Sequence, residues 1–255
     1  AFNSQALSSS ITFEEHIKNL KEELTTRGHS ANTLNELFDS KFVINKTIKK
    51  SFTNQPEVKS TFDTYVGNKL SDWRISEGRK KYAKHKKFLK TVEDKYNVPG
   101  ELVVALWGVE TNYGTYPLRH NAIKALVNLS YIHPNANRRK YFKDELFAAF
   151  DVVKRCNIEP ADLNGSWAGA LGQCQFMPSN VMNYAVDGNN DGKVDIWTTE
   201  EDVLASAANF INKLGWKENL AGYKKVELPK NFKIYQKRTF KTLSQWKKEG
   251  VIIEN

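Results

Sequence analysis

The chain is poor in cysteine, methionine and acid, and it has no long apolar run. Its 255 residues include 2 Cys, 2 Met and 5 His. Two cysteines exclude a disulfide-stapled miniprotein. Cys156 and Cys174 form no Cys-x-x-Cys pair, and no His/Cys cluster has zinc spacing, which excludes a structural zinc module. The two thiols fit either a disulfide or two buried free cysteines. No stretch approaches the roughly 20 apolar residues that span a bilayer. No secretory leader is recognisable. There is no Gly-x-Ser-x-Gly elbow, no P-loop, no His-Glu-x-x-His and no dinucleotide fingerprint. The five histidines are scattered, so nothing points to a Ser/His/Asp triad.

Acid is also in deficit. Asp and Glu total 29 against 38 Lys and Arg, for a net charge of +9. A basic surface favours anionic partners. The densest basic run, Arg79, Lys80, Lys81, Lys84, Lys86, Lys87 and Lys90, reads as a solvated helix face or as a polyanion footprint. No nucleic-acid-binding motif accompanies it, and no nucleic-acid partner is expected. At 40% hydrophobic residues, a chain of this length can bury a full core, which excludes a disordered or fibrous chain.

Periodicity points to a mainly α protein. Residues 1–12 are polar and Ser-rich, a loose start. Phe13, Ile17, Leu20 and Leu24 recur at helical steps, and Pro56 interrupts the pattern. A long helix is expected from Phe62 to Tyr96. Loop signals fall at 97–100, 132–137, 164–165 and 187–195. Strand-like alternation is confined to 224–236. Three regions are expected: an N-terminal helical region (1–96), a core (97–223) and a C-terminal segment (224–255).

Three stretches carry chemistry. In the first, Pro99 opens a helix whose residues Leu102 to Val109 are apolar all round, so the helix is expected to be buried. It ends in Glu110. Desolvation would hold that carboxyl protonated, as a general acid requires. The other reading is that Glu110 marks where the helix meets solvent. The second stretch, Gly165–Ser179, crowds small residues around Ser166 and Gln175. It fits close approach to a ligand or tight helix packing, with Pro178 as a stop. The third, Asp187 to Asp195, places oxygen side chains at positions 1, 3 and 5 of an EF-hand-like loop (Asp187, Asn189, Asp191) and Gly192 at position 6. Lys193 stands at position 7, and Thr198 replaces the usual Glu at position 12. Such a loop fits a calcium site or a metal-free Asx-rich turn.

Together these motifs resemble lytic murein transglycosylases of the membrane-bound B type. The resemblance runs from about residue 60 to 223. It rests on Val98–Gly114, Ala122–Leu129, Arg138–Leu146, Gly165–Ser179 and the stretch from Tyr184 to Phe210. It implies a lysozyme-like catalytic core that cleaves the β-1,4 bond between N-acetylmuramic acid and N-acetylglucosamine in peptidoglycan. The product would be a 1,6-anhydro ring. Glu110 would act first as acid, then as base. Ser166 and Gln175 would hydrogen-bond the sugars, Tyr65 and Tyr141 would line the groove, and Arg139 would contact a carboxylate or the peptide. A structural Ca2+ is implied at Asp187, Asn189, Asp191, Lys193 and a late ligand, Asp202 first and Glu201 second. The stretch before that ligand is one residue longer than the family's usual loop.

The resemblance also implies a monomer in the periplasm or at the outer membrane of a Gram-negative bacterium. A removed N-terminal lipoprotein signal would anchor it. The family's Asn- and Tyr-bearing segment after the equivalent of Trp246 is expected to be missing. Two other readings stay open. A hydrolysing muramidase would need a second carboxylate, with Glu145 or Asp187 as candidates. A peptidoglycan-binding module would need none.

Overall fold

The structure, a computed structural model, describes residues 11–53, 62–218, 225–232 and 239–253. Residues 1–10, Pro56 and both ends of the expected strand region 224–236 lie outside them. Helix α1 (Phe13–Thr26) begins with a capping box, in which Thr12 Oγ1 accepts from the Glu15 N–H and Glu15 accepts from the Thr12 N–H. Helices α2 (Ala31–Leu37), α3 (Lys46–Thr53) and α4 (Phe62–Lys69) follow. The expected long helix is broken. Ser71 caps a new helix, α5 (Asp72–Tyr96), by accepting from the Arg74 N–H, and Leu70 before it is 59% exposed. Asn97 ends α5 in the left-handed region at φ 55°, a conformation Asn tolerates better than most residues.

Helix α6 (Gly100–Thr111) starts one residue after Pro99, which is its cap. A two-residue strand, β1 (His120–Asn121), leads into α7 (Ala122–Ile132) and α8 (Ala136–Cys156). The turn at 164–165 is a strand, β2 (Asn164–Gly165), paired antiparallel to β1 with His120 opposite Gly165. Strands of two residues are too short to show alternation. Pro178 does not stop a helix but opens one, α9 (Pro178–Tyr184), because its missing N–H costs nothing at that end. Helix α10 (Glu200–Lys213) completes the set.

Helix α7 is the buried axis, with Ala122, Ile123, Ala125, Leu126, Val127 and Leu129 all fully buried. It packs along α8. A second layer stacks α5, α6 and α10 through Leu89, Val92, Val103, Trp107, Val203 and Leu204. No boundary falls at residue 96. Helix α1 rests on α7 and α5 on α6, so the described residues up to Trp216 form one compact unit. The second unit, 217–255, holds β3 (Val226–Glu227), α11 (Leu243–Lys248) and β4 (Ile252–Ile253), with β3 and β4 antiparallel.

His16 ties α1 to α7, with Nε2 2.9 Å from Ser130 Oγ, which itself donates to the Val127 carbonyl. Burial, and then the nearby Lys143 charge, lower the imidazole to about 4. The unfolded chain takes up that proton near pH 6.5. The neutral contact is therefore complete above pH 6.5 and is lost as pH falls to about 4, a change of at most ~3 kcal/mol. We expect the melting temperature to fall over that window and to fall less in His16→Gln. Equal slopes would remove His16 from the account.

Candidate active site

Glu110 occupies the last turn of α6. The helix buries Val103, Val104, Trp107, Gly108 and Thr111. Its other face is not covered, which corrects the expectation of burial all round. Ala105 is exposed there and Val109 partly so. With Val104, Glu101 and Tyr113, these residues line a cleft of about 490 Å³ against the start of α5 and the end of α4. Apolar side chains on that face border open space instead of a neighbouring helix.

The Glu110 side chain opens to solvent on one side, yet the protein around it pushes its pKa up by desolvation, with Lys69 as the opposing charge. Among the described residues no hydrogen bond or ion pair holds this carboxyl. A carboxyl with a raised pKa and no fixed partner can hold a proton and give it to a bound oxygen.

The chain leaves α6 through three successive left-handed residues, Asn112 (φ 51°), Tyr113 (φ 60°) and Gly114 (φ 78°). Two of them carry side chains, so the turn stores strain of order 1 kcal/mol per residue. Arg74 holds it. Its Nε and Nη2 donate to Asn112 Oδ1 at 3.0 and 2.6 Å, while Nη1 reaches the Lys69 carbonyl. Tyr113 donates its hydroxyl back to the Arg74 carbonyl at 2.8 Å. Gly108 makes room for that ring, because a Cβ there would lie 2.5 Å from Tyr113 Cζ.

The Gly165–Ser179 stretch is a folded loop up to its last two residues, which begin α9. Isolated bridges link Gly165 to Leu171 and Leu171 to Phe176. Ser166 Oγ accepts from the N–H groups of Ala168 and Ala170, at 3.3 and 3.1 Å. Gly172 (φ 62°) and Gln175 (φ 50°) are left-handed, and Gln175 Nε2 donates to the Gly172 carbonyl. Ser166 and Gln175 thus shape the loop they stand on.

The residue that joins this loop to α6 is Gln173, which the sequence did not single out. Its Oε1 accepts from Trp107 Nε1 at 2.8 Å, and its Nε2 donates to the Trp197 carbonyl at 2.8 Å. Its carbonyl accepts from Thr111 Oγ1 at 2.9 Å. Cys174, next to it, is buried, and desolvation, followed by the Glu110 charge, pushes its thiol up. Cys174 and Cys156 are both free.

The remaining expected contacts are placed less uniformly. Tyr65 on α4 is 40% exposed, with Lys69 Nζ 5.7 Å from its ring centroid. Tyr141 is half-buried beside Phe142, and desolvation followed by the Glu145 charge raises its pKa. Arg139 Nη1 donates to the carbonyls of His133 and Pro134, so this side chain braces the α7–α8 turn. Arg138, one residue earlier, stacks 4.9 Å over the Tyr141 ring. Glu145 is buried and bound to both the N–H and the hydroxyl of Ser179.

The basic run on α5 is mostly a solvated face, but Lys81 and Lys84 turn toward Glu200 on α10. The Asp/Asn loop is knit by its own backbone. Asp187 accepts from the N–H groups of Asp191 and Gly192, Asn189 from Asp191, and Asp191 from Lys193. Asp202 is buried, and its two oxygens accept from the Gly188 N–H (2.8 Å) and the Asp195 N–H (2.6 Å). It serves as an internal brace of the loop. Among the described residues no group of three or more His, Cys, Asp or Glu side chains is gathered for a metal.

A family model described as the transglycosylase SLT domain matches residues 12–255. The chain belongs to this family. It is 38% identical over 121 residues to the membrane-bound lytic murein transglycosylase B of Escherichia coli K12, an alignment covering 48% of this chain and 33% of that protein. It is also similar to Pseudomonas aeruginosa SltB3 in complex with NAG-NAM-pentapeptide, at 31% identity and a TM-score of 0.74, covering 94% of this chain and 64% of that one. The Escherichia coli lytic transglycosylase Slt35 in complex with calcium shares the fold at 24% identity and a TM-score of 0.79, covering 94% and 76%. The matched stretch spans about a third of the curated relative's length. The lysozyme-like, mainly α architecture of the SLT family is thus that of this chain. Among the described residues no helix is long and apolar enough to cross a membrane.

Proposed function

We propose that this chain is a peptidoglycan lytic transglycosylase with Glu110 as its acid and then its base. One observation carries the reading: a carboxyl with no fixed partner and a raised pKa, in the last turn of α6, which Thr111 ties to the Gly165–Ser179 loop. Protonated Glu110 gives its proton to the glycosidic oxygen, and the bond from that oxygen to the muramic C1 breaks. The substrate's own N-acetyl group steadies the cation. The resulting Glu110 carboxylate then takes the proton of the muramic 6-hydroxyl as O6 bonds to C1. A 1,6-anhydro ring forms and no water is consumed.

Hydrolysis needs a second carboxylate. Glu145 is bound to Ser179, and Asp187 is bound to the backbone of its own loop. Both are occupied in ways that favour the one-carboxyl route. Tyr65, Tyr141, Ser166 and Gln175 are assigned to the glycan, and Arg139 to holding the turn beside Tyr141. The membrane-bound curated relative supports a place in the cell envelope, in the periplasm or at the outer membrane, with a monomer as the working unit. The test is release of soluble fragments from purified sacculi. Binding without release would replace this reading with a binding module.

Calcium fits only the first half of its loop. Asp187, Asn189 and Asp191 are suitable oxygen donors. The closing carboxylate, Asp202, already serves two N–H groups. We therefore expect melting temperatures in excess EDTA and in millimolar Ca2+ to agree within about 2 °C. A rise of many degrees with Ca2+ would overturn the brace reading and restore a structural metal.

A further inference from the structure

A second cleft, of about 630 Å³, is lined in part by β1, the strand paired with the start of the glycine-rich loop. It is bounded by the α2–α3 connection, the residues before β1, and the first turns of α7. Its lining carries Lys41, Lys46, Arg119, Lys124 and the imidazole of His120, against a single carboxylate, Asp39. Asp39 is engaged with its own turn, accepting from the Lys41 N–H at 3.0 Å. Among the described residues none of the four permanent cations has a carboxylate partner. Lys124 instead lies 5.9 Å over the Phe42 ring. Four cations without carboxylate partners around one concavity give it a positive potential that favours an anion. Helices α3 and α7 both begin here, adding dipole charge of the same sign.

We propose that this cleft binds carboxylate groups of a peptidoglycan stem peptide. The peptide source is favoured by position. His120 and Asn121 line the cleft and pair directly with Gly165 and Asn164, next to Ser166 of the loop assigned to the sugars. A glycan strand whose sugars cross Ser166 brings its peptides to the neighbourhood of β1, which lines the cleft. This rests on the proposed function, because only a peptidoglycan substrate brings peptides to that loop.

The test separates the two claims. Chemical shifts of the amides of Asn45, Lys46 and Asn121–Lys124 are followed as free stem pentapeptide is added to the whole chain. The same titration is run with the pentapeptide amidated at its carboxylates and with inorganic phosphate. Binding by the free peptide is expected, weakened at least ~5-fold by amidation and by Lys41→Gln with Lys46→Gln, since each charge-assisted contact is worth about 1 kcal/mol or more. Neither lysine belongs to the catalytic site. Cleft amides that do not respond, or respond equally to the amidated peptide, would overturn the proposal. Tighter binding of phosphate than of peptide would also overturn it and assign the cleft to a phosphate group. In parallel, the rate on peptide-bearing glycan relative to peptide-stripped glycan should fall in the double variant. If the wild type cleaves neither glycan, the proposed function fails, and the titration still decides whether the cleft takes carboxylates.

Discussion

Glu110→Gln is expected to lose roughly 10²–10⁴-fold in turnover, the range typical of a positioned acid–base group. Gln keeps the shape and the hydrogen-bonding capacity but cannot give or take the proton. Two other carboxyls are engaged elsewhere. Glu145 is bound to Ser179, and Asp202 braces the Asp/Asn loop. Sacculus binding should persist, because the Gly165–Ser179 loop is held by Gln173 and Ser166, not by Glu110. Stability should not fall. Desolvation raises the Glu110 pKa, so its contribution to folding is best below the unfolded carboxyl pKa and worsens as pH rises through the folded one. At neutral pH the Gln variant is expected to melt at the same temperature or slightly higher. The wild-type rate should also decline on the alkaline side with a single-proton slope that Glu110 sets. Loss of activity together with a clear loss of stability would make Glu110 a structural residue.

The largest stability effect is expected at Glu200, the first residue of α10. Burial alone would push its carboxyl up, but hydrogen bonds from Lys81, Lys84 and His85 outweigh that and hold it at about 2. Lys81 Nζ and His85 Nε2 each lie 2.6 Å from it, and both side chains are shielded. Lys84 is 61% exposed, so its contact adds little. The lowered pKa means the cluster contributes fully above the unfolded carboxyl pKa and is lost as pH falls from about 4.5 to about 2. At neutral pH Glu200→Ala should cost about 1–2 kcal/mol, because it leaves Lys81, stacked on Trp107, without its anion and the buried His85 Nε2 without its partner, discounted for the part-exposure of the cluster. Chemical denaturation of the two proteins at pH 7 measures this. A cost under ~1 kcal/mol, with an unchanged acid limb, would mean that packing alone fixes α10.

The chemistry of Glu110 is legible in the sequence because a charge follows a long apolar run. The extent of burial is not. Ala105 and Val109 read as core, yet they border open space, and an apolar helix face looks the same whether it meets a neighbour or a ligand. The glycine-rich loop is also visible, but the Gln that joins it to α6, Gln173, does not stand out. Which of Gln173 and Gln175 reaches Trp107 depends on left-handed residues at 172 and 175, and composition carries no such sign. Arg74 and Glu200 act on partners 38 and about 115 positions away in sequence. Asp202 was expected at the metal loop, and it does reach that loop, but through two backbone N–H groups. A carboxylate in sequence does not declare whether it will serve a cation or the chain itself. Roles toward the sugars, as for Tyr65 and Ser166, came from family resemblance and not from residue physics.

The central claim is that one carboxyl cleaves the glycan without water. Its most direct test is mass spectrometry of the soluble fragments that the wild-type chain and Glu110→Gln release from purified peptidoglycan. The account predicts anhydro-ended fragments, lighter by one water than their reducing-ended counterparts, from the wild type alone. Reducing-ended fragments from the wild type would contradict it and require a second carboxylate in the site.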